Sequence, residues 1–277
     1  MSNLVSTEWL AAHLNDVRVV DASWYMPGEK RNPRAEFEAA HIPGSVFFDI
    51  DAISDKSTDL PHMLPSSGEF AKAVGTLGIG NGDTVAVYDG SGMFSAARVW
   101  WMFKAMGHDA VKVLEGGFPK WMREGRAVAS GAANPSAKSF TSSPRPSLIR
   151  DYDAVMKIVA DKSAQIADAR SASRFTASEP EPRAGVRGGH MPGAVNVHYR
   201  SLLNNDGGFK SSDQLRDVIA RAGIDTGRPV VTTCGTGVTA AIVMLALAEI
   251  GATDVALYDG SWTEWGSRAE APVVTGA

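Results

Sequence analysis

Cys234 is the only cysteine in 277 residues. It follows the β-branched run Val230-Val231-Thr232-Thr233 and precedes Gly235-Thr236-Gly237-Val238-Thr239, after which an apolar stretch begins at Ala240. The run reads as a buried strand and the stretch as a helix. The thiol therefore stands at the C-terminal edge of a parallel sheet, where open α/β folds bind ligands. Two glycines let the loop curl its N–H groups inward, and the helix N-terminus adds partial positive charge. This setting favours a nucleophilic thiolate. Without such a loop, a lone cysteine reads as a small buried hydrophobe.

Three chemistries use a cysteine in a cradle of this kind. A phosphatase needs an arginine six positions later to clamp a phosphate dianion, and that position is Ala240. A redox pair needs a second thiol, which the chain lacks. Sulfur transfer needs one nucleophilic cysteine and a nest of donors, and it fits. Arg174 and Arg183 flank Glu179-Pro180-Glu181-Pro182 in a loop expected at the same sheet edge. Two guanidinium groups there could hold a carboxylate and an adjacent ketone. Surface pairing with Glu179 and Glu181 is the equal alternative on sequence alone. Asp51 and His62, by themselves, read as solvated loop residues.

These residues lie in a chain that repeats itself. Asp21-Ala22-Ser23 matches Asp168-Ala169-Arg170, and His41-Ile42-Pro43-Gly44 matches His190-Met191-Pro192-Gly193. Tyr88-Asp89-Gly90 matches Thr233-Cys234-Gly235, and Gly107 matches Gly251. The offsets of 147, 149, 145 and 144 residues are steady enough to indicate two copies of one domain. Between them Ser130–Ser147 has linker composition, rich in serine and proline. The expected division is a first domain over 1–138 without a catalytic cysteine, a linker over 139–148, and a catalytic domain over 149–277. Strands are expected at 17–21, 83–88 and 111–114, and at 165–168, 228–233 and 254–258. Helices are expected at 95–106 and 239–250, with Gly107 and Gly251 as left-handed caps. The fold class is α/β, each copy a mostly parallel sheet flanked by helices. The paired histidines His41 and His190 read as turn-stabilising. Gly78-Ile79-Gly80-Asn81-Gly82 precedes a strand and is a loop rather than a dinucleotide site.

Composition sets outer limits. The chain is 44% hydrophobic and 21% charged with a net charge of −4, so it is a globular protein with no basic excess for nucleic acid. No stretch is apolar for the ~20 residues a membrane span needs, and the N-terminus does not read as a secretory signal. The expectation is a cytoplasmic protein with no metal and no organic cofactor.

The loop Cys234–Ala240 resembles the active loop of the 3-mercaptopyruvate sulfurtransferases, two-domain members of the rhodanese superfamily. The resemblance extends along the chain through Phe47-Phe48-Asp49-Ile50-Asp51, His62-Met63-Leu64-Pro65, Arg98-Val99-Trp100-Trp101, Glu179–Arg183 and Tyr258-Asp259-Gly260-Ser261-Trp262. It implies two tandem rhodanese-like folds with the active site between them and Cys234 as nucleophile. It carries donor binding onto Arg174 and Arg183, with Gly235, Gly237, Val238 and Thr239 forming the binding loop. It places Asp51 and His62 facing that loop, with Thr236 as hydroxyl partner in a proton relay. Many members have serine where this chain has Thr236. The thiosulfate-using branch carries basic residues directly after its cysteine, whereas Gly235 and Thr236 are neutral. That difference favours 3-mercaptopyruvate, a monoanionic keto acid. The implied reaction moves its sulfur through a Cys234 persulfide to a small thiol, a thioredoxin-like protein or cyanide, releasing pyruvate. The alternatives are a thiosulfate sulfurtransferase and a non-catalytic persulfide carrier.

Overall fold

Short β-branched runs and the helices between them assemble twice into one architecture. The computed structural model describes residues 2–276 and divides into two units. One holds the chain up to Lys56, Leu64–Arg145 and Asn204–Phe209; the other holds Ser57–Met63, Pro146–Leu203 and the chain from Lys210 onward.

The first unit runs β1 (Leu4–Val5), α1 (Thr7–Ala12), β2 (Val17–Asp21), α2 (Pro33–Ala39), β3 (Val46–Phe47), α3 (Ser67–Thr76), β4 (Thr84–Tyr88), α4 (Ala96–Ala105), β5 (Val111–Leu114) and α5 (Gly117–Arg123). The second runs β6 (Ile149–Arg150), α6 (Tyr152–Asp161), β7 (Gln165–Asp168), α7 (Ala172–Phe175), β8 (Ala194–Asn196), α8 (Ser212–Arg221), β9 (Val230–Thr233), α9 (Ala240–Glu249), β10 (Val255–Tyr258) and α10 (Ser261–Trp265). The sheet orders are β1-β5-β4-β2-β3 and β6-β10-β9-β7-β8, the same order under the repeat. Among the described residues every pairing between these strands is parallel, for example Asp168 beside Thr233 and Asp21 beside Tyr88. The sequence reading found the three inner strands of each copy. It missed β1, β3, β6 and β8, which span two or three residues and are too short to show a period.

Burial explains the composition of the inner helices. In α9 every residue from Ala240 to Leu247 is buried, so it is apolar all round. In α4 only Lys104 of Ala96–Ala105 escapes burial. Separate apolar cores sit in the two sheets, one around Val19, Tyr88 and Trp121, the other around Val231, Tyr258 and Trp265. The paired histidines hold turns in both copies. His41 Nδ1 lies 2.7 Å from the Phe37 carbonyl and its ring stacks on Phe37. His190 does the same with Phe175, at 2.9 Å.

The serine- and proline-rich stretch is fastened to the first unit along its second half. The Lys138 ammonium meets Asp83 at 2.7 Å, Phe140 packs edge-on to Phe70, and Arg145 pairs with Asp109 at 2.6 Å. Among the described residues no helix is long and apolar enough to cross a membrane.

Candidate active site

Cys234 directly follows β9 and is 2% exposed. Two elements fix its backbone. Parallel pairing with β7 brings Asp168 alongside Thr233, and the Ala169 N–H donates to the Thr233 carbonyl at 2.8 Å. On the other side the start of α10 acts as a clamp. The Ser261 hydroxyl accepts from the Cys234 N–H at 3.3 Å and donates to the Tyr258 carbonyl at 2.8 Å. The Trp262 N–H donates to the Cys234 carbonyl, and the Thr263 N–H to the Gly235 carbonyl, both at 2.9 Å. The Thr263 hydroxyl adds a third donor, at 2.7 Å to the same Gly235 oxygen. In a trans peptide the carbonyl and the next N–H point opposite ways. With both carbonyls drawn to α10, the N–H groups of Gly235 and Thr236 turn away from it. The loop continues through Gly237 (φ +78), the buried Val238 and the half-buried Thr239 into α9.

Arg174 lies against this loop. A Cβ built on Gly235 would stand 3.1 Å from Arg174 Nη2, so any side chain there would press on the guanidinium. Glu181 holds Arg174 in place, with Oε2 at 2.5 Å from Nη2 and Oε1 at 3.2 Å from Nε. Glu181 also takes Arg170 Nη1 at 2.8 Å, and Arg170 pairs with Asp168 at 2.6 Å. The Arg170 guanidinium rests 4.2 Å over the Trp262 ring. Burial works against the Arg170 cation, yet the Asp168 charge beside it, helped by Glu181, keeps its pKa above the ordinary arginine value. A buried ionic chain thus runs Asp168, Arg170, Glu181, Arg174.

The other expected site residues are placed as follows. Arg183 is exposed and makes no hydrogen bond or ion pair among the described residues. The surface pairing that the sequence also allows does not form: Arg174 pairs with Glu181, whose side chain is buried, and Glu179 instead takes the Ser173 hydroxyl at 2.7 Å. Thr236 is half-buried in the loop. His62 belongs to the second unit, is buried, and has a left-handed backbone (φ +63). Asp51 belongs to the first unit, where its carboxylate accepts from the Trp24 indole N–H at 3.0 Å and its carbonyl from Lys56.

The family described as Rhodanese-like domain matches residues 6–124 and again residues 151–268. The chain belongs to the rhodanese family. The human 3-mercaptopyruvate sulfurtransferase is 42% identical, over 96% of this chain and 92% of that protein. A protein of Arabidopsis thaliana named thiosulfate/3-mercaptopyruvate sulfurtransferase 1, mitochondrial, is also 42% identical, over 98% of this chain and 77% of its own length. The crystal structure of SseA from Escherichia coli, a 3-mercaptopyruvate sulfotransferase of rhodanese fold, superposes with a TM-score of 0.87. It is 38% identical, over 95% of this chain and 99% of that one.

The two rhodanese loops differ in what fills them. In the first unit Asp89 takes the place of Cys234, and its carboxylate accepts the N–H groups of Ser91, Phe94, Ser95 and Ala96 at 2.7–3.0 Å. That loop runs 89–95, one residue longer than 234–239. Sequence reasoning missed Ser261, Arg170 and the burial of Glu181. One signal was available: Gly116-Gly117 of the first copy becomes Gly260-Ser261 in the second.

Proposed function

We propose that this rhodanese transfers the thiol sulfur of 3-mercaptopyruvate through Cys234 to a thiol or cyanide acceptor. The observation that carries the reading is the single cysteine at the mouth of a loop whose N–H groups turn away from the α10 clamp, with the Arg174 guanidinium against Gly235. The Cys234 thiolate attacks the donor sulfur, a sulfur–sulfur bond forms, and the carbon–sulfur bond breaks. The electron pair leaves as the enolate of pyruvate, which takes a proton to become pyruvate. The loop amides stabilise negative charge as it develops. Arg174 orients the donor carboxylate and ketone, with Arg183 as its expected second cation. Thr236, His62 and Asp51 are assigned the proton, an assignment supported by the sequence resemblance. The Cys234 persulfide then gives its outer sulfur to a small thiol, a thioredoxin-like protein or cyanide. We place the reaction in the cytoplasm, which cell fractionation tests.

Thiosulfate is the second reading, favoured by the two-donor name of the Arabidopsis relative. The deciding experiment compares kcat/KM for 3-mercaptopyruvate and thiosulfate with one common acceptor. A higher value for 3-mercaptopyruvate is expected. A preference for thiosulfate contradicts the donor assignment, and turnover of neither contradicts the enzyme.

A further inference from the structure

We propose that Glu181 sets the charge selectivity of the donor site by cancelling the charge of Arg174 beside the Cys234 loop. The inference rests on the sulfurtransferase reading and assigns a specificity-determining role that the reaction itself does not require. Asp168 and Arg170, each with a side chain 1% exposed, neutralise one another at 2.6 Å. Glu181, 4% exposed, is then the counter-ion of Arg174, which is 20% exposed and faces the loop. Two buried carboxylates and two guanidiniums sum to zero. Inside the protein such a sum matters, because an unmatched charge is poorly screened there.

The hydrogen bonds divide in the same way. Glu181 occupies the Nε/Nη2 side of the Arg174 fork. The Nη1/Nη2 end lies toward Gly235, at 3.8 and 3.1 Å from where its Cβ would be. A donor carboxylate can take that end as a two-bond fork. At Arg174 it meets directional donors but no surplus positive charge. The remaining attraction is that of Arg183, the expected second cation, with the partial charge of the loop amides and the α9 N-terminus, and one whole positive charge suits a monoanion. A dianion gains about twice that attraction but loses about four times the hydration on entering, so without a further cation it is disfavoured. Gly235 and Thr236 add no cation, so Glu181 decides whether Arg174 acts as a neutral fork or as a charge.

Glu181→Gln keeps the side-chain shape and leaves Arg174 uncompensated. We expect the ratio of kcat/KM for thiosulfate to that for 3-mercaptopyruvate to rise by about tenfold or more, mostly through the thiosulfate KM. Added salt should shrink the rise. A merely structural role would lower both kcat/KM values together and leave the ratio alone. A ratio within twofold of wild type overturns the inference. Wild-type turnover of neither donor would instead strike the sulfurtransferase reading, so the two failures are distinguishable. If Glu181→Gln does not fold, competitive inhibition of the wild type serves. Sulfate should bind no tighter than acetate, and sulfate binding tenfold tighter than acetate would overturn the proposal.

Discussion

Ser261 holds a left-handed backbone (φ +50) where the first unit uses Gly117 (φ +52). That conformation costs a residue with a Cβ about 1–2 kcal/mol. The hydroxyl offsets it by accepting the Cys234 N–H, a bond worth about 1 kcal/mol. Ser261→Gly relieves the strain and loses the bond, so its thermal stability should stay close to wild type. Ser261→Ala keeps the strain and loses the bond, and should fall by about 1–2 kcal/mol in urea unfolding. Turnover should drop in both, because both free the Cys234 amide. A Ser261→Gly enzyme with full kcat would mean that the hydroxyl does not position the nucleophile. Gly235→Ala tests the neighbouring contact. Its Cβ would press on Arg174, so the donor KM should rise more than kcat falls. An unchanged KM would show that Arg174 yields without consequence.

At the scale of elements, each copy sends an inner strand into a loop that opens an apolar helix, β4 to α4 and β9 to α9. In one loop the converging amides hold a carboxylate; in the other the residue at that position is the thiol. Asp89→Ala should cost about 2–4 kcal/mol, since it strips several N–H groups of a buried acceptor. Asp89→Cys combined with Cys234→Ser should show no sulfurtransferase activity above background, because the first loop is one residue longer and has Tyr25 and Ser23 oxygens against Gly90 where the second has the Arg174 guanidinium against Gly235. Substantial turnover would mean that the longer loop is a competent cradle. These elements were legible in the sequence where burial writes a continuous apolar run, as at Val230–Thr233 and Ala240–Leu247. They were not legible where pairing needs only two residues, as at Leu4–Val5. The ionic chain through Glu181 was half legible: its partners stood in view, but their burial depends on the fold of the 171–187 loop, which carries no period.

For the molecule as a whole, the repeat is a record of what each copy keeps. Asp168 ends β7 and is paired by Arg170, whereas Asp21 ends β2 with Ser23 in the matching place. Burial pushes the Asp21 carboxyl up to about 6, against 3.8 for an ordinary aspartate, despite the hydrogen bonds from Ser23. The folded protein therefore holds this proton more tightly than the unfolded chain, and stability falls as pH rises from about 4 to 6. The contribution is on the order of 3 kcal/mol across that window. Asp21→Asn should gain on wild type in urea unfolding as pH increases through it; a constant difference between the two would place the Asp21 carboxyl at its ordinary value. The central claim is tested most directly by intact mass after the donor alone. Wild-type protein mixed with 3-mercaptopyruvate and no acceptor should gain one sulfur, about 32 Da, at Cys234, with one pyruvate released per chain. Cys234→Ser should fold, gain nothing and release none. Turnover by Cys234→Ser, or pyruvate released by wild type with no sulfur retained on Cys234, would contradict the account.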